Sequence, residues 1–234
     1  LINPDAQGLE AAGPGAAGFD HPIFRESVRR IRLLLGETGL EGVEQELLER
    51  LVHSCGDASI APWLRFSPGA CGRGMAALAA GAVILTDTAM AASAVAPMAR
   101  RTFANPVHTV LDWAPATAPL GGTRAAIGME RALEAHPGAV VLIGSAPTAL
   151  ELLLGRVAPG TAAALPAPAL VIGMPVGFVG VAESKRHLAA SGLVQIRLEG
   201  SRGGAGLVAA AVNALLRRAW LDSQLSADPR ATPP

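Results

Sequence analysis

The feature that most limits how this chain can fold is a repeated alternation of short apolar runs with helix-patterned segments. Ala82–Thr86, Val107–Leu111, Ala139–Ile143, Ala169–Gly173 and Leu193–Leu198 are brief, rich in Val, Ile and Leu, and mostly bounded by turn formers. Runs of that length and composition are expected to be strands. Met75–Ala80, Thr123–Ala135, Pro147–Leu154, Glu183–Ala190 and the long Gly204–Arg218 fall before, between or after them and have helical character. Parallel strands need a crossover, usually a helix, so alternation of this kind implies a parallel sheet covered on both faces. The expectation is a single doubly wound α/β domain with a mostly parallel sheet of about five strands.

Two helices are expected ahead of the alternation. Asp20-His21-Pro22 has the form of a cap followed by an early helical proline. Ile23, Val28, Ile31 and Leu34 then share a face until Gly36 ends the pattern. Val43, Leu47, Leu48 and Leu51 recur at helical spacing between Gly42 and His53. Residues 1–19 are Gly/Ala-rich and aperiodic, and are expected to be flexible. The domain is placed at 20–221, and 222–234, with three prolines, is expected to be a disordered tail.

Composition removes several function classes. The formal net charge is zero and only 16% of residues are charged, which argues against a general electrostatic grip on nucleic acid or an anionic membrane. Apolar stretches such as Met75–Ile84 are too short to span a bilayer. Cys55 and Cys71 form neither a disulfide framework nor a zinc pattern, and no basic start with an apolar core is visible at the N-terminus. A cytoplasmic location is the expectation. All but one of the basic residues are arginine, the exception being Lys185.

In a parallel sheet the loops after the strands gather on the carboxyl edge, where ligands bind. Here those loops are Thr86-Asp87-Thr88, the run Gly144 to Leu150, the run Pro175 to Lys185 (PVGFVGVAESK) and the run Gly200 to Gly206. Each is rich in glycine or hydroxyls, and exposed amides at helix starts favour anions. Lys185, Arg202 and the pair Thr123-Arg124 would add donors and positive charge, and Thr88 a hydroxyl. A ligand with several carboxylates or phosphates is the expectation. Nucleotide binding has weak support, because neither G-x-G-x-x-G after a first strand nor G-x-x-x-x-G-K-[ST] is present. Any one such loop taken singly is adequately explained as turn chemistry.

Of five histidines, His53 has the most suggestive position, at the end of an amphipathic helix before Ser54-Cys55-Gly56-Asp57. A helix C-terminus favours imidazolium, which suits a general acid. No H-x-x-x-H or paired Cys/His set supports a metal site, and no G-x-S-x-G elbow supports a serine nucleophile.

Six ordered segments carry a resemblance. They are ERLVHSCGD from Glu49, TDTAM from Thr86, GTRAA from Gly122, GSAPTAL from Gly144, PVGFVGVAESK, and GSRGGAG followed by Val212-Asn213-Ala214-Leu215. From about His21 to Arg218 the chain closely resembles the precorrin-8X methylmutase family of corrin-ring synthesis. The resemblance implies a Rossmann-like domain acting as a homodimer, with the active site near the subunit interface. It implies a 1,5-sigmatropic shift of a methyl group between adjacent carbons of ring C of precorrin-8X, or of cobalt-precorrin-8, with no dissociable cofactor. It assigns His53 as the group that protonates or hydrogen-bonds the ring system, and matches Ser27, Thr123, Arg124 and Lys185 to family positions. Ser145 and Ala205 stand where the family commonly has asparagine and serine. A reading from another class is a non-catalytic corrinoid carrier, which would have no need of His53.

Overall fold

A computed structural model describes residues 18–158, 160 and 164–227. The chain opens with α1 (Pro22–Leu35) and α2 (Gly42–Cys55), followed by a 3-10 turn (Ala58–Trp63) and strand β1 (Leu64–Phe66). Then come α3 (Ala70–Ala79), β2 (Ile84–Thr86), α4 (Ala89–Arg101), β3 (Val107–Thr109) and a second 3-10 turn (Val110–Trp113). The remainder is α5 (Arg124–Ala135), β4 (Val140–Ile143), α6 (Pro147–Val157), β5 (Leu170–Gly173), α7 (Val181–Ala190), β6 (Gln195–Leu198) and α8 (Ala205–Ala227).

The six strands form one sheet in the order β1-β6-β5-β4-β2-β3. All neighbours are parallel except β1, which pairs antiparallel with β6 in the register Leu64↔Leu198. The parallel α/β expectation therefore holds, with one edge strand added. Side chains of the central strands alternate between two cores. Val140 and Leu142 of β4 join the core under α2, α3, α4 and α8, while Val141 and Ile143 join that under α5, α6 and α7. Burial on both faces is why these strands are apolar throughout.

Two elements escaped the sequence reading. Helix α4 carries an internal proline, Pro97, and its run of alanines has little periodic contrast. It forms because the hydroxyl of Thr88 caps it, accepting from the Ala91 amide at 3.3 Å, and because Ala91, Val95 and Ala99 are buried against the core. Strand β1 has only three residues, and pairing with β6 is what makes it a strand.

The ends also differ from expectation. Phe19, placed in the flexible segment, is buried, stacks on Trp220 at 4.8 Å and lies under the Arg101 guanidinium at 3.8 Å. Helix α8 runs to Ala227, so 222–227 are helical rather than tail, supported by the Arg218–Asp222 ion pair one turn apart at 2.7 Å. The readings of 1–17 and 228–234 lie outside the described residues.

Candidate active site

The strand order reverses between β2 and β4, so the usual ligand crevice of such a sheet lies between their carboxyl ends. Here that crevice already holds a side chain. Asp87 follows β2 directly and is 1% exposed. One of its oxygens, Oδ2, accepts the amides of Ser145 at 2.6 Å and Ala146 at 2.7 Å, at the start of α6. Burial nevertheless holds its carboxyl above the ordinary aspartate value, and Oδ1 has no partner among the described residues. The α6 N-terminus was expected to offer these amides to an anionic ligand. Asp87 takes them instead, and stitches the β2 and β4 loops together.

The loops after β4, β5 and β6 meet beside this point. A Cβ on Gly144 would lie 2.7 Å from the Ala205 nitrogen, and one on Gly203 would lie 1.9 Å from the Met174 carbonyl oxygen. Only glycine permits these approaches. They bring the loop after β6 against the loops after β4 and β5. Thr123, the N-cap of α5, shares a hydrogen bond with Thr148 of α6 at 2.8 Å. Arg124 is exposed, and its Nε donates to the Pro115 carbonyl at 2.8 Å.

His53 lies in the last turn of α2. Its Nδ1 and the Ser27 hydroxyl of α1 are 2.7 Å apart. Phe24 meets the imidazole edge-on at 5.1 Å, and the Arg50 guanidinium lies over the phenyl ring at 4.6 Å. The sequence reading expected the helix end to favour imidazolium. His53 is exposed, yet the desolvation it does undergo and, secondarily, the charge of Arg50 push its pKa below the ordinary value. Gly56 caps α2 just beyond His53, its amide donating to the Val52 carbonyl at 2.8 Å.

Two polar residues that the sequence reading passed over connect α2 to the β6–α8 loop. Asp57 accepts from the amide and hydroxyl of Ser59 at 2.9 Å and 2.6 Å. Arg202 then reaches Asp57 at 3.2 Å and the Ser59 hydroxyl at 2.6 Å. An aspartate directly after a helix-ending glycine is the one signal that marks this turn in the sequence. Lys185, expected to face an anion, is instead 2% exposed and bonded to backbone carbonyls of that same loop. Burial pushes its ammonium down to about 8.

The other histidines are engaged elsewhere. His21 caps α1, His187 meets Glu151 at 2.8 Å, and His108 stacks on His136 beside Trp113. Among the described residues no cluster of three or more metal-ligating side chains occurs, and no helix is long and apolar enough to cross a membrane. Several large apolar side chains that follow the strands are left in the open. Phe178 and Val179 after β5 are 95% and 88% exposed, and Met90 at the start of α4 and Leu120 ahead of α5 are also exposed.

The family model for precorrin-8X methylmutase matches residues 22–218. The chain belongs to the precorrin-8X methylmutase family. It is 46% identical to the precorrin-8X methylmutase of Pseudomonas aeruginosa over 82% of this chain and 93% of that one. It is 39% identical to the cobalt-precorrin-8 methylmutase of Synechocystis sp., over 86% of this chain and 97% of that one. The crystal structure of precorrin-8X methylmutase from Thermus thermophilus superposes with a TM-score of 0.75 at 38% identity, covering 85% of this chain and 98% of that chain. The match in fold agrees with the α/β architecture, and the methylmutase segment begins at α1, the helix that carries Ser27 to His53.

Proposed function

We propose that this protein is the isomerase that converts precorrin-8X, or its cobalt-containing form, by moving a methyl group between adjacent carbons of ring C. The observation that carries this reading is the Ser27–His53 hydrogen bond within a family match that spans both residues. A sigmatropic shift breaks one carbon–methyl bond as the neighbouring one forms, so atoms and electrons balance within the substrate. The protein supplies a fixed orientation and one hydrogen-bond donor. With the Ser27 hydroxyl donating to Nδ1, the imidazole carries its proton on Nε2, the nitrogen left to donate to the substrate.

The surroundings suit a flat, many-armed acid. Arg202 and Arg124 are exposed cations beside loops rich in amides and hydroxyls, with Thr88 and Thr123 among them. The Arg202–Asp57 pair is an exposed one, of the kind worth about 0.2–1 kcal/mol, so a substrate carboxylate can replace Asp57 on the guanidinium. Open apolar groups such as Phe178 and Val179 offer a surface for the face of a macrocycle. Holding distant arms in this way fixes the reacting ring. We take the protein to act as a cytoplasmic homodimer with the site near the subunit interface, a state that light scattering of the purified protein reads directly.

The test is an absorbance assay with both metal-free and cobalt-containing substrate. Conversion of one or both is expected from the wild type, and loss of turnover with retained fold from His53→Ala. A fully active H53A variant removes His53 from the chemistry. A wild type that binds both corrinoids and converts neither makes the protein a carrier.

A further inference from the structure

Lys185 is the single lysine of a chain otherwise equipped with arginine, and it is buried. Burying an ammonium is costly unless its donors are satisfied. Here Nζ donates to the carbonyl oxygens of Gly200 at 2.8 Å and of Arg202 at 2.6 Å. Both belong to the loop joining β6 to α8. An ammonium on a flexible stem has rotatable donors that can meet two converging carbonyls.

The same loop is tied from other directions. The Gly177 amide donates to the Ser201 carbonyl at 3.0 Å, and the Gly204 amide donates to that of Met174 at 2.9 Å. Within this frame, the residue whose carbonyl Lys185 holds is the one whose guanidinium reaches Asp57 and Ser59, just beyond the helix of His53. The lysine thus grips the backbone of Arg202 from inside while its side chain is presented outside.

We propose that Lys185 is a positioning residue: it holds the Gly200–Gly204 loop in the shape that presents Arg202 to a substrate carboxylate, and it makes no contact with substrate itself. This rests on the reading of that loop as a wall of the substrate site. It assigns Lys185 a role different from that of an anion contact.

Four proteins test it: wild type, Lys185→Met, Arg202→Met and the double variant. Each is assayed with precorrin-8X or the cobalt form, whichever the wild type converts, and each is examined without substrate by hydrogen exchange. A charge-assisted hydrogen bond lost from binding corresponds to roughly a ten- to hundredfold effect. K185M is expected to raise KM by about that factor with kcat little changed, and R202M to do the same. The double variant is expected to be no worse than R202M. Exchange in K185M is expected to quicken in the peptide spanning 198–206 while α2, β4 and β5 keep their protection.

A double variant whose KM rises by the product of the two single effects overturns the proposal, because Lys185 then contacts substrate independently. Unchanged exchange in the 198–206 peptide also overturns it, as does loss of protection throughout the fold. Should K185M fail to fold, Lys185→Gln retains an uncharged donor group with two N–H bonds and is held to the same criteria. A wild type inert toward both substrates overturns the functional reading and the substrate half of the proposal, while the exchange data still decide whether Lys185 orders the loop.

Discussion

At His53 two effects of opposite sign act on one imidazole. Its place near a helix C-terminus favours the charged form, while desolvation and the Arg50 guanidinium favour the neutral one and lower its pKa. The working species on this account is the neutral ring with its proton on Nε2. Turnover is therefore expected to stay flat between pH 7 and pH 8. A rate that falls across that interval with a single ionisation would mean that imidazolium is the donor. Ser27→Ala is expected to loosen the ring without removing it, costing about 1 kcal/mol, or roughly five- to tenfold in kcat, with KM little changed. Steady-state kinetics of S27A check this.

Asp87 provides a second prediction at this scale. Its carboxyl is held above the ordinary aspartate value by burial. A raised folded-state pKa contributes stability that is present below the unfolded value and is lost as pH rises through the folded value. Wild type should thus lose stability relative to Asp87→Asn as pH rises from about 4. Urea denaturation of both proteins at pH 4, 5, 6 and 7 measures the difference, and a gap that stays constant or moves the other way contradicts it. The sequence showed Thr86-Asp87-Thr88 as a polar loop after a strand. That the aspartate turns inward to the α6 amides depends on β4 lying beside β2, which no local pattern encodes.

Among the elements, the glycine-bearing loops and helices separate two kinds of glycine that look alike in the sequence. Gly203 lies against the Met174 carbonyl, with no room for a methyl group. Gly155 sits inside α6 with no positive φ, and an added methyl group would meet nothing within 4 Å. Gly203→Ala is expected to destabilise by about 1–3 kcal/mol, the usual range for overpacking. Gly155→Ala is expected to stabilise by about 0.5–1 kcal/mol through helix propensity. Chemical denaturation reads both, and equal effects would show that the close approach does not matter. Most helices and the five parallel strands were legible because periodicity or a continuous apolar run marks them. Helix α4 was not, since alanine carries no facial contrast and Pro97 resembles a break. Strand β1 was not either, since three residues acquire strand character only by pairing with β6.

Over the whole molecule, the first two helices are fastened to the last by charge. Arg217 of α8 pairs with Asp20 before α1 and, at 3.2 Å, with Glu46 of α2, and these side chains are only partly exposed. Arg218 adds a second contact to Glu46 at 3.1 Å. Arg217→Ala leaves two half-buried carboxylates without that partner and is expected to cost about 1.5–3 kcal/mol. Because α1 carries Ser27 and α2 carries His53, the same variant should also lower kcat. Thermal unfolding and turnover measured together test whether the fastening serves the site, and a destabilised variant with unchanged kcat would limit it to stability.

The sequence by itself determined the parallel α/β architecture and the family, because these follow from periodicity, chain order and motif wording. It singled out His53 and Ser27 as separate residues. Only the tertiary structure brought them to 2.7 Å, turned Lys185 inward onto the Gly200 and Arg202 carbonyls, and placed Asp87 in the crevice between β2 and β4. Each of those outcomes depends on which elements lie side by side and on how much water their packing removes. Burial and through-space contact decide them, and neither is a property of neighbours along the chain.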